Sequence, residues 1–209
     1  MEIAEPTTTL TDYLLALTGG VLGTLLLRER AAPARLFGLA LLAVGLAAAI
    51  GGSSHGFGPR WSEVQRNAAW LATYGVIGLA NLLLLAGAIL AWAPRVYQRP
   101  LLGLSGFRLG VYAMLLTSQR EFRYVVYDFI GTLVALGALA LLGRASRPAP
   151  VPVMLVGIAT SFAGALVQNS GVGLHQHFNH NDLFHVIQIG GLYCFYRAGR
   201  LFGDRALST

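Results

Sequence analysis

The 209-residue chain has no lysine and few charges of any kind. All fifteen basic residues are arginines, and charged residues make up 11% of the sequence, whereas a soluble domain carries about 25%. The absence of lysine excludes a retinal protein, which needs a lysine amine for its Schiff base. With a single cysteine, Cys194, no disulfide can form within the chain. The formal net charge of +6 indicates the loops of a membrane protein rather than a nucleic-acid-binding surface.

Seven apolar segments fill most of the sequence. Hydrophobic residues make up 55% of it, and about 20 apolar residues suffice to cross a bilayer. Short stretches rich in Pro, Gly or Arg, such as APRVYQRP, separate the segments. In the first segment, Gly19 and Gly23 form a GxxxG pattern that predicts close helix packing. We predict an all-α, polytopic integral membrane protein, a single seven-transmembrane-helix domain over residues 1–209, with helices at 10–27, 36–55, 68–93, 101–118, 122–143, 151–169 and 180–202.

Arginine is distributed unequally between the two sets of predicted loops. Four arginines fall on one side, together with an acidic N-terminal stretch that includes Asp12. The other side has ten: Arg28, Arg30, Arg35, Arg95, Arg99, Arg144, Arg147, Arg197, Arg200 and Arg205. Because positive charge concentrates in cytoplasmic loops, we expect the N-terminus outside and the C-terminus in the cytoplasm of a bacterial inner (cell) membrane.

Polar residues cluster at the end of the predicted bundle that faces outward. Ser54 and His55 end the second segment, Asp128 lies near the start of the fifth, and the stretch HQHFNHNDLFHVIQ (175–188) leads into the seventh. Helix ends are often polar because they meet lipid headgroups. However, Asp128, His185 and Gln188 lie a turn or two inside their helices, where such groups are costly unless they face the bundle interior. We therefore expect a polar pocket that opens outward.

Imidazole and carboxylate groups in such a pocket predict zinc chemistry. Zinc accepts imidazole nitrogen and carboxylate oxygen, so the candidate ligands are His55, His185, Asp182 and His180. A zinc-bound water supplies a hydroxide nucleophile, and Asp128 is the candidate acid or base for its proton.

Other roles for these residues stay open at this point. Asp182 could instead complete a capping box with Asn179 at the start of the seventh helix, and His55 could be a loop histidine bonded to backbone. Asn181 and Gln188 share a helix face with His185, and both are candidates, with Tyr127, for binding a cofactor or substrate.

The histidine that ends the second segment, His55, and the stretch NDLFHV (181–186) that opens the seventh resemble the CREST superfamily of membrane hydrolases. This superfamily includes alkaline ceramidases and progestin/adipoQ receptors. Its pattern is Ser-x-x-x-His on the second helix, an aspartate near the start of the third, and His-x-x-x-His on the seventh, with the three histidines binding zinc. The resemblance implies a zinc-dependent hydrolase of lipid amides or esters in which His55 and His185 bind the metal.

Three positions depart from that pattern. Asn181 replaces the first histidine of the seventh helix, although His180 is adjacent. Gly51 replaces the serine, which leaves nearby Ser54 as the candidate. The third helix has no aspartate, so Asp128 or Glu63 would have to substitute for it, and Asp128 is the preferred acid or base.

Two other functions compete with a hydrolase acting on membrane lipids from the outer leaflet. The same histidines could ligate a haem or hydrogen-bond a quinone. The chain could also be a transporter, or a non-catalytic subunit that associates with a membrane protein partner or with copies of itself. No repeat supports a transporter, and no nucleic-acid partner is expected.

Overall fold

The computed structural model describes residues 2–119 and 121–203, and these residues form an all-helical structure. They contain seven α-helices, one short 3₁₀ helix and no β-strand. The α-helices are α1 (Pro6–Leu27), α2 (Ala32–Phe57), α3 (Glu63–Trp92), α4 (Arg95–Gln119), α5 (Phe122–Leu142), α6 (Val151–Ser170) and α7 (His180–Gly203), and the 3₁₀ helix Gly58–Arg60 joins α2 to α3.

Each of the seven predicted segments is occupied by a helix, but four helices, α1 to α4, begin four to six residues earlier than predicted. Helix α1 begins at Pro6 instead of residue 10, with its proline in the first turn, where proline is tolerated because that N–H needs no partner. The break predicted over APRVYQRP was wrong in extent, since α4 begins at Arg95 and continues through Pro100. Pro100 removes one backbone hydrogen bond near the start of α4 without ending the helix.

By length and composition, six of the helices in the described residues could cross a membrane, namely α1 to α6. Helix α7 is not among them. It carries Asp182, Arg197 and Arg200, which lower its mean hydropathy.

Six helices pack in a closed ring, in the order α1, α2, α3, α5, α6, α7. Helix α4 lies outside this ring and packs mainly against α3. Helices α1 and α2 approach closely at glycines: a Cβ on Gly19 would lie 2.6 Å from the carbonyl oxygen of Leu41, and one on Gly23 would lie 2.7 Å from that of Gly38. The close packing predicted from the GxxxG pattern is therefore confirmed.

The two ends of the ring differ in chemistry. At one end, Phe202 packs edge-on against Phe37 and Trp92, with ring centroids 5.4 and 5.0 Å apart. At the other end lie the start of α7 and the connection from α2 to α3. We call this second end the polar end, because the buried Asp12, Asp182 and His185 are found there.

Candidate functional site

A cavity of about 330 Å³ lies inside the ring, and all six ring helices line it. Its volume is at the lower limit of ordinary small-molecule sites. Most of its wall is aliphatic or aromatic. Towards the polar end the wall includes the polar side chains of Asp12, His55, Gln168, Asn181, His185 and Gln188. Such a cavity suits a ligand with an apolar chain and one polar end.

Asp12 and His185 form the centre of the polar end. Their Oδ1 and Nε2 atoms are 3.2 Å apart, and the two residues are only 4% and 8% exposed. The other ring nitrogen, Nδ1, lies 3.0 Å from Oγ1 of Thr11. The second carboxylate oxygen of Asp12 is buried and has no hydrogen-bond partner in the described residues. A single proton, carried either by Asp12 or by Nε2, makes this contact a hydrogen bond, so the pair can hold and release a proton beside the cavity.

Asp12 is not among the predicted site residues, because an aspartate in an acidic N-terminal stretch is typical of a solvated tail. In the structure it lies in the second turn of α1. The signal that could have revealed it is the spacing of Thr8, Thr11, Asp12 and Leu15, which places all four on one helix face. All four are buried.

Gly52 allows α2 to approach Asp12. A Cβ on Gly52 would lie 2.7 Å from the Cβ of Asp12, whereas one on the preceding Gly51 would come no closer than 3.9 Å to any neighbouring atom. Gly51 therefore lies beside the carboxylate of Asp12 without touching it.

The capping arrangement at the start of α7 is confirmed. Asn179 Oδ1 accepts hydrogen bonds from the backbone N–H groups of Asn181 (2.8 Å) and Asp182 (3.4 Å). In return, the Asn179 N–H donates to Oδ2 of Asp182 at 2.7 Å. Oγ1 of Thr11 lies 3.5 Å from the other carboxylate oxygen of Asp182, Oδ1. The Asp182 side chain is fully buried and does not line the cavity. Asp182 thus orders the start of α7 and contacts the same threonine as His185.

His55 lies at the rim of the cavity and is held by the N-terminal segment. Its Nδ1 is 3.0 Å from Oε2 of Glu5, and its ring packs edge-on against Trp70, with centroids 5.2 Å apart. The backbone N–H of Ala4 donates to the carbonyl of Gly56 at 3.0 Å. The partner of His55 is therefore a carboxylate rather than the backbone group considered from the sequence.

Two predicted binding residues, Asn181 and Gln188, line the cavity and are held by side chains of α6. Gln168 donates its Nε2 to Oδ1 of Asn181 at 2.8 Å, and Ser161 donates to Oε1 of Gln188 at 3.0 Å. These contacts use the amide oxygens. The amide NH₂ groups of Asn181 and Gln188 are left as donors at the cavity wall.

Three other predicted residues do not line the cavity. Ser54 donates its hydroxyl to the carbonyl of Ile50 in its own helix at 2.9 Å. Tyr127 is 62% exposed. His180 is half-buried at the first position of α7.

Asp128 belongs to a separate buried cluster rather than to the polar end. Its Oδ1 is 2.8 Å from Nη1 of Arg108, and its Oδ2 accepts a hydrogen bond from Asn81 at 2.7 Å. The same Arg108 nitrogen also donates to Thr132 Oγ1 at 2.7 Å. This cluster joins α3, α4 and α5. Asn81 connects it to the cavity, whose wall it helps to form.

The predicted zinc ligands are not gathered around one point. Within residues 2–119 and 121–203, no group of three His, Cys, Asp or Glu side chains is arranged to hold a metal ion. His55 and His185 face the same cavity, but Asp182 is engaged by the backbone of Asn179. As placed, the four predicted side chains do not fit a zinc ion.

Comparison with known families identifies one match. A family model described as a family of unknown function (DUF6962) matches residues 7–204. The chain belongs to this family. No curated protein and no solved structure matches the chain significantly. The matched region of the DUF6962 family includes Asp12, His185 and the whole cavity wall.

Proposed function

We propose that this DUF6962 protein spans a membrane seven times, with its N-terminus outside and its C-terminus in the cytoplasm. Six apolar helices and the ten-to-four distribution of arginines support this topology. Helix α7 is less apolar, but Asp182, His185 and Gln188 are buried within the bundle rather than directed at lipid, as expected of polar residues in a transmembrane helix. In this topology the polar end lies in the outer half of the membrane.

We further propose that the protein hydrolyses an amide or ester bond of a membrane lipid, as a distant relative of the CREST hydrolases. The observation that carries this proposal is the buried Asp12–His185 pair, 3.2 Å apart, at the polar end of an otherwise apolar cavity. The lipid chain occupies the apolar part, which places the carbonyl group beside the pair.

The reaction follows from the roles that these groups can take. The second carboxylate oxygen of Asp12, which has no hydrogen-bond partner in the described residues, accepts a proton from water as the water oxygen bonds to the carbonyl carbon. His185, whose Nε2 lies 3.2 Å from the other oxygen, positions Asp12 for this step. The NH₂ groups of Asn181 and Gln188 are donors for the negative charge that develops on the carbonyl oxygen. As the bond to nitrogen or oxygen breaks, Asp12 returns the proton to the leaving amine or alcohol. The products are a carboxylic acid and an amine or alcohol.

Zinc binding remains a prediction. The candidate ligand side chains do not converge in the described residues, so the proposed reaction uses only the side chains of the chain itself. Metal content of the purified, chelator-washed protein tests it: one zinc per chain, lost in His55→Ala/His185→Ala, is the expected result if zinc binds. A visible spectrum of the same sample tests the haem alternative.

Hydrolysis is tested with the full chain in proteoliposomes, with N-oleoylethanolamine and monooleoylglycerol as substrates. We expect release of oleate, and a loss of about 10²–10⁴-fold in Asp12→Asn, the range for a general acid or base, with a loss in the same direction in His185→Gln. Thr18→Val is the matched control, because Thr18 lies half-buried on the same helix as Asp12 but does not line the cavity. Wild-type rates in both site variants would contradict the proposal. Binding of both lipids without hydrolysis would favour a non-catalytic lipid-binding subunit.

A further inference from the structure

The cavity has a second polar point, Asn81, away from Asp12 and His185. Asn81 is 2% exposed and lines the cavity among apolar neighbours such as Ile77, Leu84 and Phe129. Its Nδ2 donates to Asp128 Oδ2 at 2.7 Å. A buried amide in an apolar wall is costly unless its donors and its acceptor are satisfied.

The orientation of the Asn81 amide is fixed by its hydrogen bond to Asp128. Its Nδ2 donates to Oδ2 of Asp128, and Nη1 of Arg108 lies 2.8 Å from Oδ1, the other oxygen of the same carboxyl group. The NH₂ group of Asn81 must therefore face Asp128, and its carbonyl oxygen faces away. No described group donates to that oxygen, so the cavity wall presents a fixed acceptor.

This acceptor lies deep along the cavity. Thr73 of α3 lies at the same depth in the bundle as Asp12. A Cβ built on Gly51 would lie 3.9 Å from the methyl group of Thr73 and 3.9 Å from each carboxylate oxygen of Asp12. Asn81 lies eight residues farther along α3, which corresponds to about 12 Å of helix rise. A lipid whose carbonyl lies beside Asp12 therefore passes Asn81 in the middle of its chain.

We infer that Asn81 is a specificity-determining residue that accepts a hydrogen bond from a hydroxyl group in the middle of the lipid chain. This inference rests on the proposed lipid-binding role of the cavity. A plain hydrocarbon chain excludes water from the Asn81 carbonyl oxygen and offers that oxygen no hydrogen-bond donor. A site built around a buried polar group discriminates against ligands that lack the matching group. The Arg108–Asp128 pair acts only as a positioning device for the amide.

Competition binding of fatty acids tests the inference. The probes are stearate and a series of hydroxystearates that differ only in the position of the hydroxyl, each displacing a fluorescent fatty acid from the full chain in detergent. We expect one hydroxyl position to bind roughly 2- to 10-fold more tightly than stearate, the equivalent of one hydrogen bond of about 0.5–1.5 kcal/mol. In Asn81→Leu that preference should disappear while stearate still binds.

Thr73→Val is the matched control, because Thr73 also lines the cavity but satisfies its hydroxyl within α3, through the carbonyl of Ala69 at 2.9 Å. Its preference should equal that of the wild type. If Asn81→Leu does not fold, the dependence on hydroxyl position in the wild type decides the matter. Equal affinities for all positions, or a preference that Asn81→Leu retains, would overturn the inference alone. Failure of every fatty acid to bind would overturn the proposed lipid cavity as well.

Discussion

Gly52→Ala should disturb the site more than the neighbouring Gly51→Ala. A Cβ at Gly52 would lie 2.7 Å from the Cβ of Asp12, an atom that no side-chain rotation can move, whereas a Cβ at Gly51 meets nothing nearer than 3.9 Å. Both glycines are buried in α2, so both variants gain the same roughly 0.5–1 kcal/mol from replacing a helical glycine. This gain cancels in the comparison. The remaining difference is the overpacking cost at Gly52, about 1–3 kcal/mol.

That difference can be measured as a melting temperature. For a chain of this length each kcal/mol changes Tm by roughly 2–4 °C, so Gly52→Ala should melt roughly 2–12 °C below Gly51→Ala. The assay heats both variants in the same detergent and measures the fraction that remains monodisperse. Gly52→Ala should also lose lipid hydrolysis in the folded fraction, because Asp12 shifts relative to His185. Equal melting temperatures and equal activities would refute the close approach of Asp12 to α2.

Two further pairs of variants test the Arg108–Asp128 ion pair and the close contact of Gly19 with α2. Arg108→Leu leaves Asp128 buried without its cation and should lower the free energy of unfolding by about 3–5 kcal/mol, while the double variant Arg108→Leu/Asp128→Leu regains most of it. Thermal denaturation in detergent measures both, and a double variant as unstable as the single one would argue against the pair. Gly19→Ala should cost about 1–3 kcal/mol, because its Cβ meets backbone of α2, whereas Gly20→Ala, with open space around its Cβ, should be neutral or stabilising. Equal effects in this second pair would contradict the glycine contact.

The helices were predictable from the sequence because their signals are local. Apolar runs of about 20 residues and Pro- or Gly-containing breaks locate helices without any knowledge of their neighbours. The capping role of Asn179 and Asp182 was likewise open to prediction, because a capping box depends on residues three positions apart. Pro100 shows the limit of such signals, since α4 continues through it.

The composition of the site was less predictable because it depends on which helices meet. His185 and Gln188 were predicted to face a pocket, and both line the cavity. Their partners Asp12 and Ser161 come from α1 and α6, and no spacing in the sequence joins those helices. Asp128 illustrates the same point, because its surroundings are set by Arg108, which lies twenty residues earlier on another helix.

Whether the internal cavity binds a lipid can be tested by photolabelling. The probe is a fatty acid that carries a diazirine near the end of its hydrocarbon chain. The full chain is irradiated in detergent and the labelled residues are located by mass spectrometry. We expect label on cavity-wall residues such as Leu84, Phe129 and Phe195, and we expect excess stearate to remove it. Label confined to exposed positions of α4 such as Phe107, and unaffected by stearate, would contradict it.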